Sequence, residues 1–489
     1  MKKILCIYTL DSILCTKDKP IRYLTDVPLG ISYIMAAIKK AGYSFDLFVF
    51  SQKNNIKKDI KRLFQDNNYD IVLFTSVSSQ FFFVKRIAEF IKQVKPDVKN
   101  VIGGVHATLN FQDVLKESCF DAVCVGDGEY AIVDYINHIR ENKKIINIDN
   151  LYVKTCDSII KPNKIYFIED LDKLDPPLRD IWTKWVSFPT SYYSAYKVLV
   201  TRGCYNNCSY CSNHALSKIS NDTKYVRYRD IDKIIEEINS INYHKIDLVC
   251  ESLTLNRDFF NKFTAALKKN NENREQKILY YAETNVYHSV LSEDFFRKID
   301  EANIRSLGIG LESGSYKIRK NILLRPKYSN KDLYVFCNMA KKFNIAVHTY
   351  VLIGIPYETQ KDYLKTINIL RKCQPNFIFV YIYMPYPGTN LYKKLIEDKI
   401  IENYNYFNHF EERTKAIISY KNMSKLRIQI NYILFFVRVY WNYKSLFEIL
   451  ILTAGRVLYC YNRFVPTFLY NFLEIKMAKS LKKLNKLNK

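Results

Sequence analysis

Long apolar runs are missing from this chain of 489 residues. Between Leu426 and Leu473 the stretches Tyr432–Val437 and Leu446–Leu452 are interrupted by Arg438, Lys444, Arg456 and Arg463, and none reaches the roughly 18 to 20 residues that span a bilayer. A transmembrane helix is not expected. A secretory leader is not expected either, because Lys2, Lys3 and the short apolar run ending near Asp11 lack a small-residue cleavage site. The 12 cysteines are too sparse for a disulfide scaffold. Nine of them sit singly in apolar surroundings, as at Cys6, Cys124 and Cys250, and read as buried thiols in a reducing cytoplasm. Solenoid-length repeats and low-complexity segments are absent. Acid is scarce in one place: from Arg413 to Lys489 fifteen Lys or Arg face only Glu448 and Glu474. The net charge of +25 therefore belongs largely to one C-terminal module and is not a general nucleic-acid signature.

With 48% hydrophobic and 15% aromatic residues the chain folds, and its length predicts two or three domains. The first part alternates apolar runs and helical spacing. Ile4–Tyr8, Ile71–Phe74, Asn100–Ile102 and Ala122–Val125 read as buried strands, with helices over Gly30–Lys40 and Phe82–Val94. This pattern predicts a doubly wound, Rossmann-like parallel sheet over 1–150. Ligands of such sheets sit beyond the carboxyl ends of the strands, where Thr75–Ser78, Gly103-Gly104 and Gly126–Glu129 fall. Pro176-Pro177 and Pro189 mark 151–195 as a linker. A second series over 196–395 has strands at Lys197–Val200, Lys245–Val249, Leu279–Glu283, Ser306–Leu311, Ala346–Leu352 and Phe377–Tyr383. Six strand-helix units over about 190 residues predict a partial (β/α)6 barrel, since a full barrel takes about 250. Residues 396–489 read as a basic, aromatic helical extension.

Thr201-Arg202-Gly203-Cys204-Tyr205-Asn206-Asn207-Cys208-Ser209-Tyr210-Cys211 puts three thiols within eight residues just after a strand. A short loop of this kind wraps three corners of an iron-sulfur cluster and leaves a fourth iron open to a small molecule. Gly203 and the paired asparagines suit such a loop. The alternatives are a zinc site completed by His214, buried structural thiols, or a redox disulfide.

The spacing C-x-x-x-C-x-x-C, with an aromatic before the last Cys, resembles the signature of the radical S-adenosylmethionine (SAM) superfamily. Gly308–Ser315, Gly354–Thr359 and Pro385–Thr389 resemble the family's later strand-end segments, in the same order. The resemblance implies a four-iron four-sulfur cluster on Cys204, Cys208 and Cys211, SAM chelated to the open iron, and a 5′-deoxyadenosyl radical that activates a C–H bond. It implies an external electron donor such as flavodoxin or ferredoxin. Tyr210 would pack near the adenine, while Glu312 and Ser313 would bind the ribose or the methionyl amine. The alternative for Glu312 is a helix N-cap. Glu251 stands where the family often has an acidic pair, and its second acid is missing here.

Val27–Ile34, Gly103–Thr108 and Val125–Glu129 resemble the cobalamin-binding domain that precedes many radical SAM domains. The resemblance implies that Gly103, Gly104, Gly126 and Glu129 border the cofactor, with Ser76 and Ser78 bonding its tail. A D-x-H-x-x-G segment is lacking, and no histidine lies between Leu10 and Asp26, so cobalt has no lower ligand from that loop. His106 is either a ligand or a polar loop residue bonded to backbone or cofactor edge. The alternative for the whole domain is a degenerate module without cofactor.

Together these readings give a cobalamin-dependent radical SAM enzyme, with methyl transfer favoured over cyclisation or rearrangement and a small-molecule or lipid-like substrate. RNA methylthiolation would need a second cysteine triplet, which Cys6, Cys15, Cys119 and Cys124 do not provide. A non-catalytic iron-sulfur or zinc scaffold is the reading from another class. For the extension, helical cover of the barrel ranks first, peripheral contact with the inner membrane face second and RNA last, since no RNA-binding module is recognised.

Overall fold

The computed structural model describes residues 3–10, 17–141, 143–189, 194–219, 223–325, 328–402, 413–441 and 443–460. The first sheet contains β1 (Lys3–Leu10), β2 (Phe45–Ser51), β3 (Tyr69–Thr75), β4 (Lys99–Gly103), β5 (Ala122–Cys124), β6 (Leu151–Lys154) and β7 (Ile159–Ile160). Their order is β2-β1-β3-β4-β5-β6-β7, parallel as far as β5 and antiparallel beyond it. Both faces are buried. Ile4, Cys6, Leu73 and Val101 pack on one side, and Leu5, Ile7, Val72 and Ile102 on the other, which is why these strands are continuous apolar runs. Two features differ from the sequence expectation. β2, where Asp46 interrupts the apolar run, is an additional edge strand, and the start of the stretch read as a linker forms β6 and β7.

A short antiparallel ribbon, β9 (Thr201–Arg202) with β10 (Arg227–Tyr228), follows β8 (Tyr196–Leu199). β8 belongs to the second sheet with β11 (Lys245–Val249), β12 (Leu279–Thr284), β13 (Ile304–Glu312), β14 (Ala346–Ile353) and β15 (Phe377–Ile382). All six are parallel, in the order β15-β14-β13-β12-β11-β8, and β15 does not pair with β8, so the barrel is open on one side. Burial alternates along β11, β12, β14 and β15. Ile246, Leu248, Tyr280, Ala282, Val347 and Val351 pack against the helices, while the intervening residues face the concave side. The outer helices start on capping side chains: Asp230, Asn256, Ser292, Ser329 and Thr359 each accept a hydrogen bond from an amide of the first turn.

The extension folds as helices Lys425–Ile433, Phe435–Tyr440 and Leu446–Cys460. Ile428, Tyr432, Phe435, Val439 and Ile449 join the barrel core, and the Tyr363 hydroxyl donates to the Asn431 carbonyl at 3.0 Å. Three of its cations turn inward to rings. Arg456 lies 4.3 Å from the Tyr432 centroid and 4.2 Å from that of Phe436, Arg438 lies over Tyr363, and Lys444 over Tyr440. Among the described residues no helix is long and apolar enough to cross a membrane. Arg463 and the Lys-rich end Lys476–Lys489 lie outside the described residues, as does Cys15. Of the cysteines read as buried single thiols, Cys156 is exposed: it lies in the polar turn between β6 and β7.

Candidate functional site

The three clustered cysteines lie on the loop that leaves β9. Gly203 opens it with φ +94°, and a Cβ there would collide with the Tyr225 carbonyl oxygen, so this position is closed to any side chain. The loop is tied down by Ser209, whose amide donates to the Leu323 carbonyl at 3.0 Å and whose own carbonyl accepts from the Leu391 amide at 2.8 Å. The Asn206 amide points at the Cys204 sulfur at 3.5 Å, and Arg325 Nη1 lies 3.9 Å from the Cys208 sulfur. Burial raises all three thiols, Cys211 to about 11, so a metal group binding here must displace their protons. Among the described residues no set of three or more His, Cys, Asp or Glu side chains is gathered around a point suited to one metal ion.

Beside the loop, the Tyr210 hydroxyl donates to Glu312 Oε1 at 2.9 Å. Glu312 sits at a bulge in β13 with φ +56°, and burial raises its carboxyl against the opposing pull of Arg325 and Tyr210. The helix-cap alternative fails, because Ser315 is the N-cap of helix Tyr316–Asn321 and the Glu312 side chain is committed to Tyr210. Ser313 is fully buried, and its hydroxyl accepts from the Ser315 amide, so it shapes the turn and does not line the site. Sequence reasoning missed Arg325, whose Nη2 bonds the Gly310 carbonyl at 2.7 Å and Asn285 Oδ1 at 3.1 Å. An arginine in a loop after a glycine-rich strand carries no distinguishing pattern; only the fold brings it to Cys208.

A cavity of about 420 Å³ lies between the two sheets. The first sheet contributes Leu73, Thr75, Val101, Gly103, Gly104 and Thr108, and the barrel contributes Arg202, Gly203, Tyr225 and Glu251. Gly126 and Glu129 also border it, whereas Ser76, Ser78 and His106 do not. His106 is buried, packs on Phe81 with centroids 4.2 Å apart and planes tilted by 31°, and its Nδ1 lies 3.1 Å from the Ser78 hydroxyl. Burial lowers it to about 3, so it is a neutral, inward-packed ring; of its two readings the structure favours the loop residue. Gly104, with φ +91°, is required for a different reason than expected. A Cβ there would meet Thr75 Oγ1 at 2.7 Å and the Ser76 carbonyl at 2.8 Å, so the glycine lets the loop close on β3.

Glu129 forms a buried ion pair with Arg202 at 2.9 Å, and Asp127 pairs with Arg202 and Arg227, which joins the first sheet to the β9–β10 ribbon. Glu251 faces the cavity with Oε2 buried and unpartnered, and burial raises its carboxyl. Apolar walls, a glycine pair at the strand ends and an unsatisfied polar oxygen fit a large cofactor with a planar base. Cys6 and Cys124 lie on one face of the first sheet and Cys119 on the other, so no second triplet forms among the described residues.

Two family models match the chain: the B12 binding domain over residues 24–136 and the Radical SAM superfamily over residues 198–370. Among curated proteins it is similar to the anaerobic magnesium-protoporphyrin IX monomethyl ester cyclase of Rubrivivax gelatinosus, at 24% identity over 78% of this chain and 68% of the relative. An uncharacterized methyltransferase of Pyrococcus horikoshii is 23% identical over 78% of this chain and 81% of its own length. The fold resembles that of TsrM from Kitasatospora setae, a radical SAM methyltransferase solved with cobalamin and a [4Fe-4S] cluster. The TM-score is 0.62 at 12% identity, covering 81% of this chain and 78% of that one. The chain belongs to the cobalamin-binding radical SAM enzymes.

Proposed function

We propose that this protein methylates an unreactive carbon of a small molecule. The observation that carries the reading is that the thiol loop and the glycine loop of the B12-binding domain border one cavity, with Gly203 and Gly104 both in its wall. Cys204, Cys208 and Cys211 would hold the four-iron cluster, Tyr210 and Glu312 would orient SAM beside it, and Gly103, Gly104, Thr108 and Gly126 would border cobalamin. When bound, the cluster and SAM supply a 5′-deoxyadenosyl radical, and cobalamin supplies a methyl carrier. The chain's own residues do the positioning. Arg325 keeps a positive charge against Cys208, Glu312 fixes the Tyr210 ring, and the Arg202–Glu129 pair holds the two cofactor domains at a set distance. An external one-electron donor is required. Ring closure is the second reading, supported by the similarity to the cyclase over 78% of this chain.

The test is anaerobic reconstitution of the full chain with iron, sulfide and cobalamin. Four irons per chain, retained cobalamin and 5′-deoxyadenosine formation from SAM are expected, and Cys204→Ala, Cys208→Ala or Cys211→Ala is expected to abolish iron binding and SAM cleavage. One equivalent of zinc with no iron uptake sinks the cluster. SAM cleavage by protein that retains no cobalamin on desalting sinks methyl transfer and leaves the degenerate-domain alternative.

A further inference from the structure

The concave face of the barrel carries a polar and aromatic arrangement that the cofactor sites do not use. Glu283 on β12 accepts from the Tyr350 hydroxyl at 2.8 Å, and its Oε1 also lies 3.1 Å from His348 Nε2; His348 Nδ1 in turn lies 3.0 Å from the Ser306 hydroxyl. Both contacts of the carboxylate fall on Oε1, and Oε2 accepts no hydrogen bond among the described residues. The Glu283 side chain is 33% exposed. Tyr350 stacks on Phe379, with centroids 5.4 Å apart and planes 19° from parallel, and Phe379 is 43% exposed. Gly308 keeps the floor between β12 and β14 clear, since a Cβ there would fall inside the Glu283 carboxylate and the His348 ring. A purely structural network would be closed over. This one leaves the Glu283 side chain a third exposed, with a carboxylate oxygen that no described residue hydrogen-bonds, beside the exposed Phe379.

Its place in the fold relates it to the thiol loop. Asn285, two residues and so roughly 6 to 7 Å beyond Glu283 along the chain, bonds Arg325, which reaches Cys208. Glu283 therefore lies about one layer below the cysteine loop, on the interior strand β12, and the Tyr350–Phe379 stack carries the arrangement across to the edge strand β15.

We propose that this face is the substrate subsite, and that it takes a planar conjugated ring bearing a hydrogen-bond donor, the donor on Glu283 Oε2 and the ring against Phe379. The proposal rests on the radical reading above and names the substrate class on which that chemistry acts. An aromatic wall stacks on flat rings with little demand for shape, and a single charged acceptor sets their orientation. A substrate whose polar group is a carboxylate would face repulsion from Glu283.

Indole and 1-methylindole, which differ by the one donor, are suitable probes with full-length, cluster-reconstituted protein in calorimetric or saturation-transfer titrations. Indole is expected to bind about tenfold more tightly, as loss of a hydrogen bond to a charged group implies. The preference is expected to vanish in Glu283→Leu, and Phe379→Ala is expected to weaken both probes alike. Equal binding of the two probes by the wild type, binding of neither up to solubility, or a preference that survives in Glu283→Leu overturns the proposal. The wild-type comparison needs no variant, so a misfolded mutant does not decide the matter. Iron content and SAM cleavage on the same preparation report separately on the parent reading; their failure with the donor preference intact would sink the radical chemistry and leave the subsite.

Discussion

The two sheets place function in different parts of their strands. In the first, apolar residues cover both faces of β1, β3 and β4, and of these strands the cavity meets only the carboxyl-terminal ends of β3 and β4, together with the loops that follow them. In the barrel the convex face of β12 and β14 is buried, and these strands place Glu283, near the end of β12, and His348 and Tyr350, within β14, on the other face. A doubly covered sheet is a platform for loops. An open barrel adds a working surface within the strands themselves.

The sharpest way to break that comparison uses two glycines. Gly203→Ala imposes a left-handed conformation worth about 1 to 3 kcal/mol in strain, in addition to a collision with backbone at Tyr225. It is expected to reduce iron bound after reconstitution at least several-fold while cobalamin retention changes little. Gly104→Ala meets Thr75 and Ser76 and is expected to do the reverse. If both variants lose both cofactors equally, the loops are not separable sites, and the division between platform and barrel fails.

The same contrast explains what the sequence made legible. Loop motifs stand out because their residue types are dictated locally: three thiols at loop spacing, or glycines where φ is positive at Gly104, Gly126 and Gly203. The six barrel strands were readable as a series separated by helices, and all six fall in one parallel sheet. Glu283 and His348 were passed over inside those strands. A carboxylate at the end of Leu279-Tyr280-Tyr281-Ala282-Glu283 looks like an ordinary solvent-facing residue of a half-buried strand until the partner strand brings a histidine and a tyrosine to it. Ser76, Ser78 and His106 do not border the cavity. The loop itself takes up two of them, the His106 ring against Phe81 and its Nδ1 beside the Ser78 hydroxyl, while the buried Ser76 hydroxyl has no partner among the described residues.

Acid and base are expected to separate the two regions. Burial holds His106 at about 3 in the folded chain, below its ordinary value near 6.5, so the unfolded state binds the extra proton and stability is lost as pH falls through that window. Burial, aided by Glu283 and opposed by Lys197 and His348, raises Asp247 from 3.8 to about 6, so the folded state keeps the proton longer and stability falls as pH rises from about 4 to 6. Effects on the order of 2 to 4 kcal/mol for the first sheet near pH 4, and 1 to 3 kcal/mol for the barrel near pH 7, follow from those shifts. Segment-resolved hydrogen exchange, corrected for intrinsic rates, is expected to show β4 opening in acid and β11 opening at neutral pH. His106→Gln and Asp247→Asn are each expected to flatten one response. Parallel behaviour of both regions would contradict the assignment.

The smallest expected effect bears on whether the first sheet's cavity holds a cofactor at all. Gly30 lies in the first turn of helix Leu29–Lys40, borders the cavity, and has no heavy atom within 4 Å of the position a Cβ would take. Its φ is not in the left-handed region, so nothing in the folded chain requires glycine. Alanine there restricts the unfolded chain and favours the helix, so Gly30→Ala is expected to stabilise the protein by about 0.5 kcal/mol, a rise in Tm of about 1 to 2 °C. A cofactor seated in the cavity would meet the added methyl, and cobalamin retention is expected to fall at least about fivefold while the empty protein gains stability, the low end of the roughly 1 to 3 kcal/mol that an extra methylene costs in a packed site. Opposite signs in thermal unfolding and cobalamin retention would place the ligand against this helix. Gains in both would show that the glycine is merely tolerated and that the cofactor lies nearer the barrel.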